Sequence, residues 1–310
     1  MRVFITGVTG QLGFDCAREA VRRGYEVVGS GMRWNGKAYS IKPCASGETQ
    51  KRTIPFVQLD ITQKEAVKQA IEKVTPDAII HCAAWTNVDG AEAPETQNRV
   101  FAINAGGTEN IAEVAKAVGA KMLYISTDYV FDGQGEAPWK PDDESYAPLN
   151  VYGQSKLEGE LAAKELVEKL FIVRSSWAFG INGNNFIKTM ICAGKRHNSV
   201  RVVCDQIGTP TYTADLARLL MDMVETNKYG CYHATNEGGY ISWYEFCCDF
   251  YKQYGLKTKV IPVPSEEYGL SIARRPLNSR LDTSKLTEAG FELLPTWHNA
   301  VGRYLKEACL

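Results

Sequence analysis

A glycine-spaced turn near the start of the chain constrains the fold most. Val3 to Thr6 reads as an apolar strand, and it runs straight into Gly7-Val8-Thr9-Gly10-Gln11-Leu12-Gly13, which opens an amphipathic helix. Glycine permits the tight turn and lets a ligand approach the backbone, while the helix start offers free N–H groups and the positive end of its dipole. A glycine triplet alone marks only a tight connection. Placed between a strand and a helix in a βαβ series, it reads as the pyrophosphate cradle of a dinucleotide site.

The strand–helix rhythm continues. Leu12 to Arg23 is helical, with Leu12, Cys16 and Ala20 on one stripe and Gly24 as its stop. Further strands are expected at Glu26 to Ser30, Pro55 to Leu59, Ala78 to Cys82, Lys121 to Ser126 and Leu170 to Arg174. Helices fall between them at Gln63 to Lys73, Thr96 to Val118 and Val151 to Glu168. The polar run from Arg33 to Thr53 is long for a connection and reads as a surface insertion. Strict alternation with right-handed crossovers predicts the α/β class: a Rossmann-type doubly wound parallel sheet, covered on both faces.

After Arg174 the rhythm loosens. Helices are expected at Phe186 to Ala193, Thr213 to Thr226, Trp243 to Tyr254 and Asn299 to Ala308, with a short strand at Val260 to Pro264. The chain therefore divides into a dinucleotide-binding domain over 1–174, to which some later segments return, and a smaller, mainly substrate-binding α/β lobe over 175–310.

Charge and composition narrow the function. The 35 basic and 36 acidic side chains leave a net charge of −1, which gives no electrostatic case for nucleic acid or an anionic membrane. No segment has the ~20 apolar residues of a membrane span, and the N-terminus reads as fold rather than signal peptide. The nine cysteines lack metal-ligand spacing, so reduced thiols in a cytoplasmic protein are expected. Four scattered histidines suggest no metal site either.

Gly7, Thr9, Gly10, Gln11, Leu12 and Gly13 are the candidate pyrophosphate contacts. The second strand ends Val28-Gly29-Ser30-Gly31-Met32-Arg33, without the carboxylate that would bond an adenosine 2′-hydroxyl. Ser30 and Arg33 suit a 2′-phosphate instead, which favours NADPH, with NADH as the alternative. Asp60 and Ile61, after the third strand, are placed to meet the adenine. Ala83 and Ala84, after the fourth, are small enough for the cofactor to pass closely.

Tyr152 and Lys156 stand at i and i+4, on one helix face. A nearby ammonium lowers a phenol's pKa from near 10, so Tyr152 is expected to exchange a proton with a carbonyl oxygen as hydride arrives at carbon. Lys156 would also bond the nicotinamide ribose. Ser126-Thr127-Asp128-Tyr129 ends the fifth strand at the ligand-binding edge of the sheet. Thr127 is the hydroxyl expected on the substrate oxygen, with Ser126 structural.

These residues resemble the extended short-chain dehydrogenase/reductase superfamily, and within it the dTDP-4-dehydrorhamnose reductase family. The resemblance rests on Ser126-Thr127-Asp128-Tyr129-Val130-Phe131-Asp132-Gly133, Pro148-Leu149-Asn150-Val151-Tyr152-Gly153, Thr86-Asn87-Val88-Asp89-Gly90-Ala91-Glu92 and Arg275-Pro276-Leu277-Asn278-Ser279-Arg280-Leu281-Asp282. It implies NAD(P)H-dependent reduction of the C4 keto group of a dTDP-6-deoxy-4-ketohexose, with Tyr152 as proton donor, Lys156 as its partner and Thr127 on the carbonyl. It further implies Thr86 and Val88 at the cofactor–sugar junction, Trp177 against the sugar, Asp128 near it, and Arg274, Arg275 and Asn278 toward the diphosphate. Some members of the family dimerise through a magnesium site of helix carboxylates. Asp15 occupies the corresponding position here, no metal is expected, and a homodimer is left open.

Two other readings share the fold. A sugar-nucleotide dehydratase or epimerase is one; the dehydratases carry a glutamate two residues after the threonine, where this chain has Tyr129. A non-catalytic NADP-binding subunit resembling the β-subunit of methionine adenosyltransferase is the other, and it would not need Thr127, Tyr152 and Lys156 together.

Overall fold

The computed structural model describes residues 1–33, 39–41 and 52–309. The first half of the chain supplies six parallel strands: β1 (Arg2–Thr6), β2 (Glu26–Gly31), β5 (Phe56–Gln58), β6 (Ala78–His81), β7 (Lys121–Thr127) and β8 (Leu170–Ser175). They lie in the order β5-β2-β1-β6-β7-β8, and the later strand Gly230–His233 adds a seventh beside β8. Within the polar run after β2, β3 (Tyr39–Ile41) pairs antiparallel with β4 (Arg52–Ile54); the rest of that run lies outside the described residues.

Near-continuous apolar strands such as Ala78–His81, buried at every position, require cover on both faces. On one face lie α1 (Gln11–Arg22) and the helix Thr213–Val224, over a core that includes Val3, Ile5, Cys16, Ala20, Leu216 and Leu220. On the other lie α2 (Lys64–Val74), α5 (Gly107–Val118) and α6 (Val151–Leu166), over Phe4, Ile79, Met122, Tyr124 and Ile172. The sheet order reverses between β1 and β6, and such a switch point leaves a crevice at the carboxyl ends of the strands.

The helical span expected over Thr96 to Val118 is broken. It consists of α4 (Pro94–Phe101), a π-helical turn at Ala102–Gly106, and α5. The short α3 (Val88–Ala91) precedes it, capped by Asn87. The wider turn rotates the Asn104 side chain inward, where it takes the Trp85 N–H at 2.8 Å and gives its own N–H to Ser155 Oγ at 2.9 Å.

The Thr213–Val224 helix and the Gly230–His233 strand both return to the sheet, the strand pairing along β8. The smaller lobe has its own aromatic core, with Phe179, Tyr212, Phe246, Phe250 and Tyr304 in contact. Beside the site, the fully buried Arg174 meets both carboxylate oxygens of the fully buried Glu160, at 2.9 and 2.7 Å, and so ties β8 to α6.

Candidate active site

The crevice opens into a cavity of about 780 Å³. At one end is the glycine turn. Gly7 has φ +64°, and a β-carbon there would come within 2.8 Å of the Ala83 backbone beyond β6. A β-carbon on Gly13 would meet the Gly7 carbonyl oxygen at 2.3 Å. Two backbones and a helix start therefore pack together without side chains between them, and Gly10 caps α1 with no side-chain hydrogen bond, which leaves the helix N-terminus to a ligand. These residues fit a dinucleotide pyrophosphate. The smaller lobe secures the turn from behind, through Asn182 Nδ2 donating to the Thr9 and Gly10 carbonyls at 2.8 and 3.1 Å.

Along the same wall lie Thr9, Gln11, Leu12, Ser30, Asp60, Ile61, Ala83, Ala84, Thr86, Val88, Thr127, Asp128, Tyr152, Lys156 and Trp177, together with Gly7, Gly10 and Gly13. Four expected contacts do not line it. Arg33 is exposed and off the cavity wall, so of the two groups expected at a 2′-phosphate only Ser30 faces the cleft. Arg275 forms a two-pronged ion pair with Asp89, at 3.0 and 2.8 Å, and Asp89 also accepts the backbone N–H groups of Ile272 and Ala273. Asn278 is buried, its amide donating to the Gln134 and Ala137 carbonyls and accepting from Arg280. Arg274 contributes its carbonyl, which accepts from Asn150 Nδ2 at 2.8 Å.

Tyr152 sits in the first turn of α6. Asn150 caps that helix by accepting the Gly153 N–H at 2.8 Å, and Gly153 lets the helix approach the chain after β7. A β-carbon on Gly153 would stand 2.3 Å from the Tyr129 carbonyl oxygen. Thr127, the last residue of β7, lines the cavity with Tyr152, and the Tyr129 ring meets the Tyr152 ring edge-on at 5.7 Å. One helical turn on, Lys156 is buried, donating to the Ile125 carbonyl at 2.8 Å with its ammonium 4.0 Å from the centre of the Tyr124 ring.

The electrostatics differ from the sequence expectation. Burial pushes the Tyr152 phenol up to about 12, helped by the charge of Asp128, with the Thr127 hydrogen bond opposing. The expected lowering by an ammonium is absent because Lys156 is itself desolvated, its pKa brought down to about 7 by burial while Glu160 pulls the other way. The phenol thus keeps its proton at neutral pH, which suits a donor rather than a base. His81, at the end of β6, is held between Thr6 at 2.7 Å and Thr108 at 3.1 Å, and burial lowers it to about 3, so it is neutral and structural.

Several contributors carry little sequence signal. The buried hydroxyls of Ser30, Ser126 and Ser175 line the cavity and have no hydrogen-bond partner among the described residues. Ser175 reaches Thr127 only through the β7–β8 register. Trp177 holds a left-handed backbone, φ +49°, which is strained for a side chain of this size. Its ring stacks on Trp243 at 3.8 Å, and both indoles line the cavity. Asn104 had only the glycine pair at 106–107 to hint at a break in its helix.

Comparison with known proteins matches residues 1–309 to the family model described as the RmlD substrate binding domain. Similar over nearly its full length is a dTDP-4-dehydrorhamnose reductase of Aggregatibacter actinomycetemcomitans, 37% identical and covering 97% of each chain. Among solved structures, a dTDP-4-dehydrorhamnose reductase of Clostridium acetobutylicum superposes with a TM-score of 0.87 at 36% identity, covering 100% of both chains. That of Bacillus anthracis, solved in complex with NADP, gives 0.86 at 39% identity over 99% of each.

Proposed function

The chain belongs to the dTDP-4-dehydrorhamnose reductase family, and from that membership we propose that it reduces the C4 keto group of a dTDP-6-deoxy-4-ketohexose, giving dTDP-L-rhamnose or a related deoxysugar. NADPH is the proposed reductant, supported by the NADP bound to the Bacillus anthracis relative and by the absence of a carboxylate at the end of β2. The observation that carries the reading is the meeting of Thr127, Tyr152 and Lys156 on the same cavity wall as the glycine turn.

The reduced dinucleotide, when bound, supplies the hydride. Tyr152 holds its proton at neutral pH and gives it to the carbonyl oxygen. Thr127 orients that oxygen. Lys156, fixed on the Ile125 carbonyl, would hold the nicotinamide ribose. Trp177, braced by Trp243, offers a flat apolar surface to the sugar, with Val88 and Asp128 completing that end. In this reading the enzyme works in the cytoplasm, which keeps its cysteines reduced.

Incubation with NADPH and dTDP-4-keto-6-deoxyhexoses should consume nicotinamide absorbance in step with ketone; a protein that binds NADPH but oxidises none of it would be a regulatory subunit instead. Ser30→Ala is expected to weaken NADPH more than NADH, since Ser30 is the group of the expected pair that faces the cleft. Equal losses for the two would remove Ser30 from reading the 2′-phosphate.

A further inference from the structure

In the reductase reading two phosphate-bearing ligands share the cavity, yet its wall carries little positive charge. Among the described residues, the charged side chains that line it are Asp60, Asp128, Lys156 and Arg99. Lys156 is committed to the Tyr152 end, buried on the Ile125 carbonyl, and burial brings its pKa down to about 7. Asp60 accepts the Thr62 N–H at 3.0 Å and the Thr62 hydroxyl at 2.8 Å, and so is satisfied within its own turn. Arg99 differs from all three. It is exposed on α4, and its guanidinium has no hydrogen bond or ion pair with any described residue, Glu95 one turn back included. Arg174, Arg275 and Arg303, by contrast, are each held on a carboxylate.

The backbone explains why Arg99 faces the cleft. Residues 99 and 107 would differ by about 80° around the axis of an unbroken α-helix. The π-helical turn at Ala102–Gly106 absorbs one extra residue, about 100°, and brings the two nearly into line. Gly107 packs on Ile61 so closely that a β-carbon there would meet the Ile61 side chain at 2.6 Å, and Asn110 Nδ2 donates to the Ile61 carbonyl at 2.9 Å. Ile103, on the same side, lines the cavity with Arg99 and packs on the core that includes Ile61. The other side of α4 is anchored to the α3 segment: Thr96 Oγ1 donates to the Gly90 carbonyl at 2.5 Å and Gln97 Nε2 to the Glu92 carbonyl at 3.2 Å. Arg99 therefore stands over the nucleotide end of the cleft. The glycine turn opens α1 on one face of the sheet, whereas α4 leads into α5 on the other.

We propose that the Arg99 guanidinium clamps a phosphate of the dinucleotide from the side of the cleft opposite the glycine turn, adding a full positive charge to the backbone N–H groups of that turn. Its planar fork presents paired N–H donors to phosphate oxygens. The cofactor offers two such groups, the pyrophosphate common to NADH and NADPH and the 2′-phosphate of NADPH alone. The diphosphate of the sugar nucleotide is less suited, because the Arg99 stripe leads to Ile61 rather than to Trp177 and Trp243. The inference rests on the reductase reading and adds to it a cofactor-binding residue that lies outside the glycine turn.

The test is a binding titration without substrate, in which quenching of protein tryptophan fluorescence reports NADPH or NADH. Arg99→Ala and Arg99→Met should each weaken NADPH about tenfold at low salt. Arg99→Met keeps an apolar stem without the charge, so wild-type affinity in that variant would make Arg99 a packing residue and overturn the assignment. At about 1 M salt the gap between wild type and Arg99→Ala should shrink, because salt screens an exposed charge; a gap that salt leaves unchanged also overturns it. Equal losses for NADPH and NADH place the guanidinium on the pyrophosphate, and a loss for NADPH alone places it on the 2′-phosphate. A loss confined to dTDP binding overturns the assignment. Wild-type protein that takes neither dinucleotide brings down the reductase reading and this inference together, whereas equal NADPH binding by wild type and Arg99→Ala brings down this inference alone.

Discussion

Tyr152 and Lys156 are linked by one helical turn but perturbed separately by burial. The phenol is held protonated up to about 12, so Tyr152→Phe should leave NADPH affinity near wild type and lower kcat at least ~100-fold. Undiminished turnover in that variant would remove Tyr152 as the acid. Lys156 yields a stability prediction. Its pKa is about 7 in the folded chain against roughly 10.4 unfolded, so between those values the unfolded state holds a proton that the folded state has released. Folding stability from this group therefore rises with pH across that window and is flat below it. The urea midpoint of wild type, minus that of Lys156→Met, should climb from about pH 7 to about pH 9.5; a level difference would mean the ammonium is not desolvated. The residue types in the sequence indicated this chemistry, but the direction of the Tyr152 shift depends on burial, which no spacing encodes.

The glycine turn, the π-helical turn and the start of α6 act as elements. Gly13 leaves no room for a side chain against the Gly7 carbonyl, so Gly13→Ala must shift the turn relative to α1. Dinucleotide affinity should fall roughly tenfold or more in a calorimetric titration, about 1.4 kcal/mol, and unchanged binding would remove the turn from the phosphate site. This turn was legible because strand, glycines and helix are contiguous. The break at Ala102–Gly106 was not, since helical periodicity averages over one widened turn. The helix Trp243–Tyr254 and the start of α6 fall where the sequence places them, while α6 ends at Leu166 rather than at Glu168. Arg275 and Asn278 show the limit of such reading. The family resemblance implied both as diphosphate ligands, yet one is held by Asp89 from α3 and the other by backbone carbonyls in the loop after β7.

Across the full chain, the cavity has a nucleotide end made by the sheet and an aromatic end contributed by the segments after β8. Those ends should separate kinetically. Trp177→Ala is expected to raise KM for the ketosugar roughly tenfold, on the order of 1.4 kcal/mol, with little change in NADPH affinity. A loss of NADPH binding in that variant would show that the strained backbone at Trp177 supports the cofactor end instead. The parallel sheet, the glycine turn and the identity of the phenol, ammonium and hydroxyl could all be read from the residues alone, because each is written in a contiguous stretch whose periodicity and backbone preferences are local. Folding in three dimensions was needed to show that Trp243 backs Trp177, that Ser175 lies beside Thr127, and that Asp89 holds Arg275. Those outcomes depend on strand register, burial and competition for hydrogen-bond partners between residues far apart in the chain, none of which a local pattern records.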